Sequence, residues 1–183
     1  MFACEHYDVV PDMLVLGKGL GGGIFPLAAL IAREDLNVAS DKAIGHYTHE
    51  KNPVAAAAAL ATIQFIEEEN LLRRVQKLSA YALEKMRTMM ARHELIGDVR
   101  GLGLLMGIEL VKNHATMEKA CDAAERVMYG ALAKGLNFKV TMGNILTLTP
   151  ALTITEDEMD QALSILTGCV SEAEACLQQR EGS

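Results

Sequence analysis

The stretch LVLGKGLGGGIFPLAALIA, residues 14 to 32, sets five glycines around Lys18 between two apolar runs. Glycine destabilises a helix or strand interior by roughly 0.5–1 kcal/mol relative to alanine, so the middle of this stretch is a turn. Its flanks, Met13 to Leu16 and Leu27 to Ala32, are short and continuously apolar, which predicts buried strands. A fold for this chain must therefore hold a lysine on a glycine turn between two strands.

Three chemistries use a glycine loop of this kind. Gly17, Gly19 and Gly22 spell G-x-G-x-x-G, but a dinucleotide site needs a helix opening there, and Ile24-Phe25-Pro26 leads into the second strand-like run instead. Asp41 lies near the distance of a ribose-binding acid, with nothing to place it at a strand end. A P-loop needs Ser or Thr after its lysine to hold magnesium, and Gly19 stands there. The third chemistry is a nucleophilic lysine at a strand end, where glycines let a flat cofactor approach the backbone and burial lowers the amine pKa enough for Schiff-base formation. A solvated lysine on a surface turn is the plain alternative, and the loop alone does not choose.

The totals narrow the partners. The formal charge is −7 with scattered Lys and Arg, so there is no electrostatic footprint for nucleic acid or an anionic membrane surface. Apolar runs such as Val54 to Ala61 fall short of the roughly 18–20 residues of a membrane span, and MFACEHYDVV lacks the segments of a signal peptide. A soluble cytoplasmic protein that meets small molecules or other chains is expected. Cys4, Cys121, Cys169 and Cys176 form no C-x-x-C pair and are expected to be reduced and mostly buried. His46 and His49 are three apart and His49-Glu50 opens like H-E-x-x-H, but Pro53 breaks that motif and no metal site is expected.

Further along, Asn52-Pro53 predicts a helix start, with the alanines 55 to 59 as a closely packed face, and a second helix is expected over about 71 to 93. IGDVRGLGLLMGIELV reads as strand, glycine turn, strand. A helix over about 116 to 134, strands in FKVTM and ILTLT, and a terminal helix to about Leu177 follow; Thr155 to Glu158 form the capping box that opens this last helix. The expected organisation is α/β, with residues 1–70 as one piece and 71–183 as a compact α+β domain.

With its surroundings, PDMLVLGKGLGGGIFPLAALIA resembles the lysine segment of class III, fold-type I pyridoxal-phosphate-dependent aminotransferases. YTHEKNPVAAAAAL, DVRGLGLLMGIEL and LTPALTITEDEMDQAL are similar, in order, to that family's threonine-to-Asn-Pro segment, its C-terminal hairpin, and its final strand and helix. Phe2-Ala3-Cys4 and the register look most like the dialkylglycine decarboxylase branch. The resemblance implies that residues 1–70 are the C-terminal part of the cofactor-binding large domain and 71–183 the small domain. It implies that Lys18 carries pyridoxal 5'-phosphate as a Schiff base and then moves the Cα proton, between an amino donor and a keto-acid acceptor. It implies that Thr48 binds the cofactor phosphate across a homodimer interface; the plain alternative for Thr48 is a helix cap. Arg100 falls in a hairpin whose role is taken as mainly structural.

Two departures bear on substrate. The family loop of Thr, aromatic, Gly, Gly, Asn, Pro here reads Thr48-His49-Glu50-Lys51-Asn52-Pro53. Where amino-acid-specific members carry the arginine that forks onto the substrate α-carboxylate, this chain has Thr147. The substrate is therefore expected not to be a standard α-amino acid: it is an amine, or bears a phosphonate or distal carboxylate, or another cation substitutes, with Lys139 on the neighbouring strand as candidate. The family's upstream phosphate loop, stacking aromatic and electron-sink aspartate have no counterpart here, so the chain is expected to be a fragment with little activity alone. A decarboxylase or ammonia-lyase of the same fold, and a non-catalytic piece keeping only domain and dimer contacts, are the alternatives.

Overall fold

The computed structural model describes every residue except Ile44, His46, Gly182 and Ser183, and leaves aside the side chains of Arg180 and Glu181. His46, one half of the histidine pair weighed above, thus lies outside the described residues. The chain divides into two compact units, Met1–Leu72 and Arg73–Ser183.

In the first unit, β1 (Met13–Leu16) pairs antiparallel with β2 (Ala29–Ala32), Met13 opposite Ala32 and Leu16 opposite Ala29. The strands are where the apolar runs put them, but they are not buried: Val15 is 75% exposed and Leu30 62%. Among the described residues these two strands make up the sheet, and no apolar layer covers them. Helix α1 (Pro53–Glu68) begins where Pro supplies a preset φ at the first helical position, and Asn52 Oδ1 accepts from the amides of Val54 (2.9 Å) and Ala55 (3.4 Å). Of the alanine run only Ala55 and Ala59, one turn apart, are buried.

The second unit holds the core. On α2 (Leu71–Met90) the stripe Leu78, Ala82, Met86, Met89 is buried at helical spacing. β3 (Ile96–Leu102) and β4 (Leu105–Asn113) form the expected hairpin, turning at Gly103 with φ +57°, where a Cβ would also press to 3.3 Å of Val75. The next helix starts later than its pattern suggests. Asn113 Oδ1 accepts from the amides of Ala115 and Thr116 and closes a turn, after which β5 (Glu118–Lys119) pairs with β4. Only then does α3 (Cys121–Ala133) begin.

β6 (Lys139–Thr141) and β7 (Ile145–Leu148) complete an antiparallel sheet of order β3-β4-β7-β6, with β5 on β4. Val99, Ile108, Leu146 and Val140 stand opposite one another across four strands, and the first three are buried. Because side chains alternate, that row fixes the register and leaves the next row on the opposite, open face. The terminal helix α4 (Glu156–Glu181) adds Met159, Leu163, Leu166, Val170 and Ala173 to the core. The four cysteines are free, as expected, but only Cys169 is buried; Cys121, in the first turn of α3, is exposed. Among the described residues no helix is long and apolar enough to cross a membrane.

The capping box forms in full: the Thr155 amide and hydroxyl donate to Glu158 Oε2 (2.8 and 2.9 Å) while the Glu158 amide donates to Thr155 Oγ1 (3.2 Å). The amide and hydroxyl of Thr155 hold the Glu158 carboxyl below its ordinary value. A carboxyl depressed in the folded state contributes stability above its unfolded pKa, and this is lost as pH falls through the folded value. A Glu158→Gln variant is expected to be less stable at neutral pH and to lose less stability than wild type between about pH 6 and about pH 3. Urea unfolding at a series of pH values checks this.

Candidate active site

Lys18 leaves β1 after Gly17 and opens a 3-10 turn, Lys18–Gly21, with a φ of +52°. For a lysine this left-handed conformation costs roughly 1–2 kcal/mol. Gly22 (φ +71°) ends the turn, and a Cβ built there would lie 2.9 Å from Thr62 Oγ1 of α1. Helix α1 thus closes on the turn through a residue that must be glycine on both counts. At Gly19 and Gly23 a Cβ would meet nothing within 4 Å, so the turn is open where a flat ring would approach.

The Lys18 side chain is exposed, against the expectation that burial around it tunes the amine, because the glycines beside it bring no side chains to cover it. Among the described residues no hydrogen bond or ion pair engages its Nζ, which leaves the nitrogen available to condense with an aldehyde. Thr48 opens an exposed turn, Thr48–Lys51, that ends with Lys51 at φ +58°. Asn52, not Thr48, caps α1, and among the described residues none engages the Thr48 hydroxyl, which can donate to an anion. No hydrogen bond joins Lys18 to Thr48. An open glycine turn, an unengaged amine and an available hydroxyl fit an aldehyde-bearing, phosphorylated ring cofactor.

In the second unit the sheet brings Thr147 and Lys139 together, directly opposite on β7 and β6. Thr147 also faces Gly107, and Gly107 faces Arg100, so the four form one row on the open face. Thr147 Oγ1 is hydrogen-bonded to Thr141 Oγ1 at 2.7 Å. Arg100 Nη1 pairs with Asp98 and, at 2.7 Å, with Glu109; these carboxylates, Asp98 foremost, hold the guanidinium pKa above its ordinary value. Sequence reading missed Thr141 and the pairing of Arg100. Alternation in the two short strands around Gly143 carries the signal for the first, since positions 139, 141, 145 and 147 share a face.

The model of the aminotransferase class-III family matches residues 1–170. The chain belongs to the class-III aminotransferases. It is 46% identical over 170 residues to the (R)-1-hydroxy-2-aminoethylphosphonate ammonia-lyase of Vibrio splendidus, covering 93% of this chain and 36% of that protein. It is 37% identical to the acetylornithine aminotransferase of Caldanaerobacter subterraneus, over 94% of this chain and 41% of that one. The solved amine transaminase of an uncultivated Pseudomonas species, in its pyridoxal-phosphate-bound form, superposes with a TM-score of 0.85 at 30% identity, over 92% of this chain and 40% of that one. The chain thus spans well under half the length of these relatives. Class-III aminotransferases are pyridoxal-phosphate enzymes, and their fold is the fold-type I arrangement of which this chain forms part.

The class-III turn makes a prediction about its lysine. A Lys18→Gly variant is expected to be more stable than Lys18→Ala by about 1 kcal/mol, the reverse of the usual order for these residues, because only glycine relieves the positive φ. Urea unfolding of the two variants side by side checks it.

Proposed function

We propose that this chain is the C-terminal portion of a pyridoxal-phosphate enzyme that releases ammonia from a small amine carrying a phosphonate. Residues 1–70 contribute to the cofactor-binding large domain, and 71–183 form the small domain. The observation that carries the substrate reading is the Lys139–Thr147 pair: where the family's arginine would fork onto an α-carboxylate, the sheet presents an ammonium and a hydroxyl. Among the described residues the guanidinium on that face is Arg100, whose Nη1 pairs with Asp98 and Glu109 two strands from Thr147. The 46% identity to a phosphonate ammonia-lyase, against 37% to the acetylornithine aminotransferase, supports the same reading.

When bound, pyridoxal phosphate supplies an aldehyde for the amine and an electron sink that loosens the bonds of the amine-bearing carbon. Lys18 Nζ would hold the cofactor before the substrate arrives, then take a proton from that carbon and pass it to the neighbouring hydroxyl, which leaves as water; a water added back at the amine-bearing carbon frees the ammonia. Its exposed stem on an open turn lets one nitrogen serve both roles. Thr48 donates its hydroxyl to the cofactor phosphate, from the neighbouring subunit of a homodimer. A vicinal amino alcohol converted to a carbonyl compound and ammonia balances without any oxidant or acceptor. The enzyme is read as soluble and cytoplasmic.

A second reading, transamination to a keto acid with the same lysine, is supported by the family model and by the solved transaminase. Product analysis separates the two. The complete enzyme, given 1-hydroxy-2-aminoethylphosphonate without any keto acid, is expected to release ammonia continuously. A Lys18→Ala variant is expected to lose at least about 10³-fold in rate, the scale of a lost nucleophile and base. Dependence of turnover on an added keto acid would establish the transaminase instead.

A further inference from the structure

Resting on the reading of a phosphonate-bearing substrate, we propose that Lys139 and Thr147 are the contact residues of a subsite for the phosphonate group, with Thr141 as the residue that positions the Thr147 hydroxyl. The three side chains lie on one face of the β6–β7 pair: Lys139 opposite Thr147, and Thr141 diagonal to Thr147 with their hydroxyl oxygens 2.7 Å apart. Two hydroxyls bring two hydrogens, and their mutual bond uses one. When Thr141 donates, the Thr147 hydrogen is released outward to an acceptor. Both threonines are half-buried, so water competes poorly for that bond, whereas Lys139 is exposed and none of the described residues engages its Nζ.

Directly opposed residues on adjacent antiparallel strands have Cβ atoms about 4.5–5.5 Å apart, within the reach of a lysine stem. An ammonium and one O–H therefore converge on a group seated over the strand pair. A tetrahedral phosphonate, with three oxygens and up to two charges, accepts from two such separated donors. A planar carboxylate is matched by a guanidinium fork, and Arg100, with its Nη1 on Asp98 and Glu109, stands two strands from Thr147 beyond Gly107. On the far side of Thr147 the strand position is Gly107, and the Ile145 side chain closes over it, 3.2 Å from where a Cβ would stand, so the group is seated toward Lys139.

The test is a titration of the isotopically labelled chain with methylphosphonate, and separately with acetate, followed by amide chemical shifts. The expected result is saturable shifts centred on residues 139–141 and 145–148 with methylphosphonate and at least about tenfold weaker binding of acetate. Lys139→Gln is expected to weaken methylphosphonate binding by about tenfold or more, on the scale of a charged hydrogen bond. Thr141→Val is expected to weaken it severalfold and Thr141→Ser to restore it, a rescue that a merely structural threonine would not show. No shifts in the wild type, equal binding of acetate, or full affinity in Lys139→Gln would overturn the proposal. The outcome does not depend on the reaction: binding through these residues in a protein whose complete form releases no ammonia keeps the subsite and discards the lyase reading.

Discussion

The register of strands β3, β4, β7 and β6 is the constraint on which the second unit depends. Ile108 and Leu146 are fully buried opposite one another, with Val99 and Val140 extending the row, and a slip of one residue in any strand would turn its apolar set to the open face. That requirement comes from the hydrophobic core, yet its consequence lies on the other side of the sheet. With Val99, Ile108, Leu146 and Val140 committed inward, Arg100, Gly107, Thr147 and Lys139 have no choice but to line up outward. Core packing thus sets the spacing of the polar groups that the substrate reading uses.

The first unit works under a different constraint. Its two strands bury little, and the glycine turn is held by the approach of α1, where Thr62 stands in the space a side chain at residue 22 would need. This contact, together with the left-handed backbone at Lys18, places a flexible amine on a conformation that lysine does not prefer. Strain of this kind persists only where the surroundings determine it, and it is common at sites that bind or react. The exposure of Lys18 follows from the same turn, whose glycines offer no side chains to cover it.

Arg100 and Thr147 together make the argument about substrate. A guanidinium with two carboxylates on its Nη1 has its positive charge offset, and Arg100 stands two strands from Thr147, beyond Gly107, so its position in the row does not make it a replacement for a carboxylate-binding arginine. Thr147 in turn is not a bare surface hydroxyl, because Thr141 holds it. The face therefore divides into a neutralised half around Arg100 and a half around Lys139 whose cation is engaged by none of the described residues.

Much of the fold was legible in the sequence because it is written in local chemistry. Asn52-Pro53 starts a helix, Thr155 with Glu158 caps another, and glycine-rich segments flanked by apolar runs turn back on themselves, whatever surrounds them. The class-III family was likewise open to reading, since its motifs are residue types at positions along the chain. Local pattern misled where a longer-range bond intervened, as at residues 113–119, where the Asn113 turn and a two-residue strand displaced the expected helix start. Burial was also beyond it: the apolar runs at 13–16 and 29–32 look like core, and their exposure depends on what else packs there. The pairing of Lys139 with Thr147, the hydroxyl contact of Thr141 and the capture of Arg100 by Asp98 and Glu109 were decided by the tertiary structure alone. Those partners lie on different strands or turn on side-chain geometry, and only the register imposed by the buried row sets them beside one another.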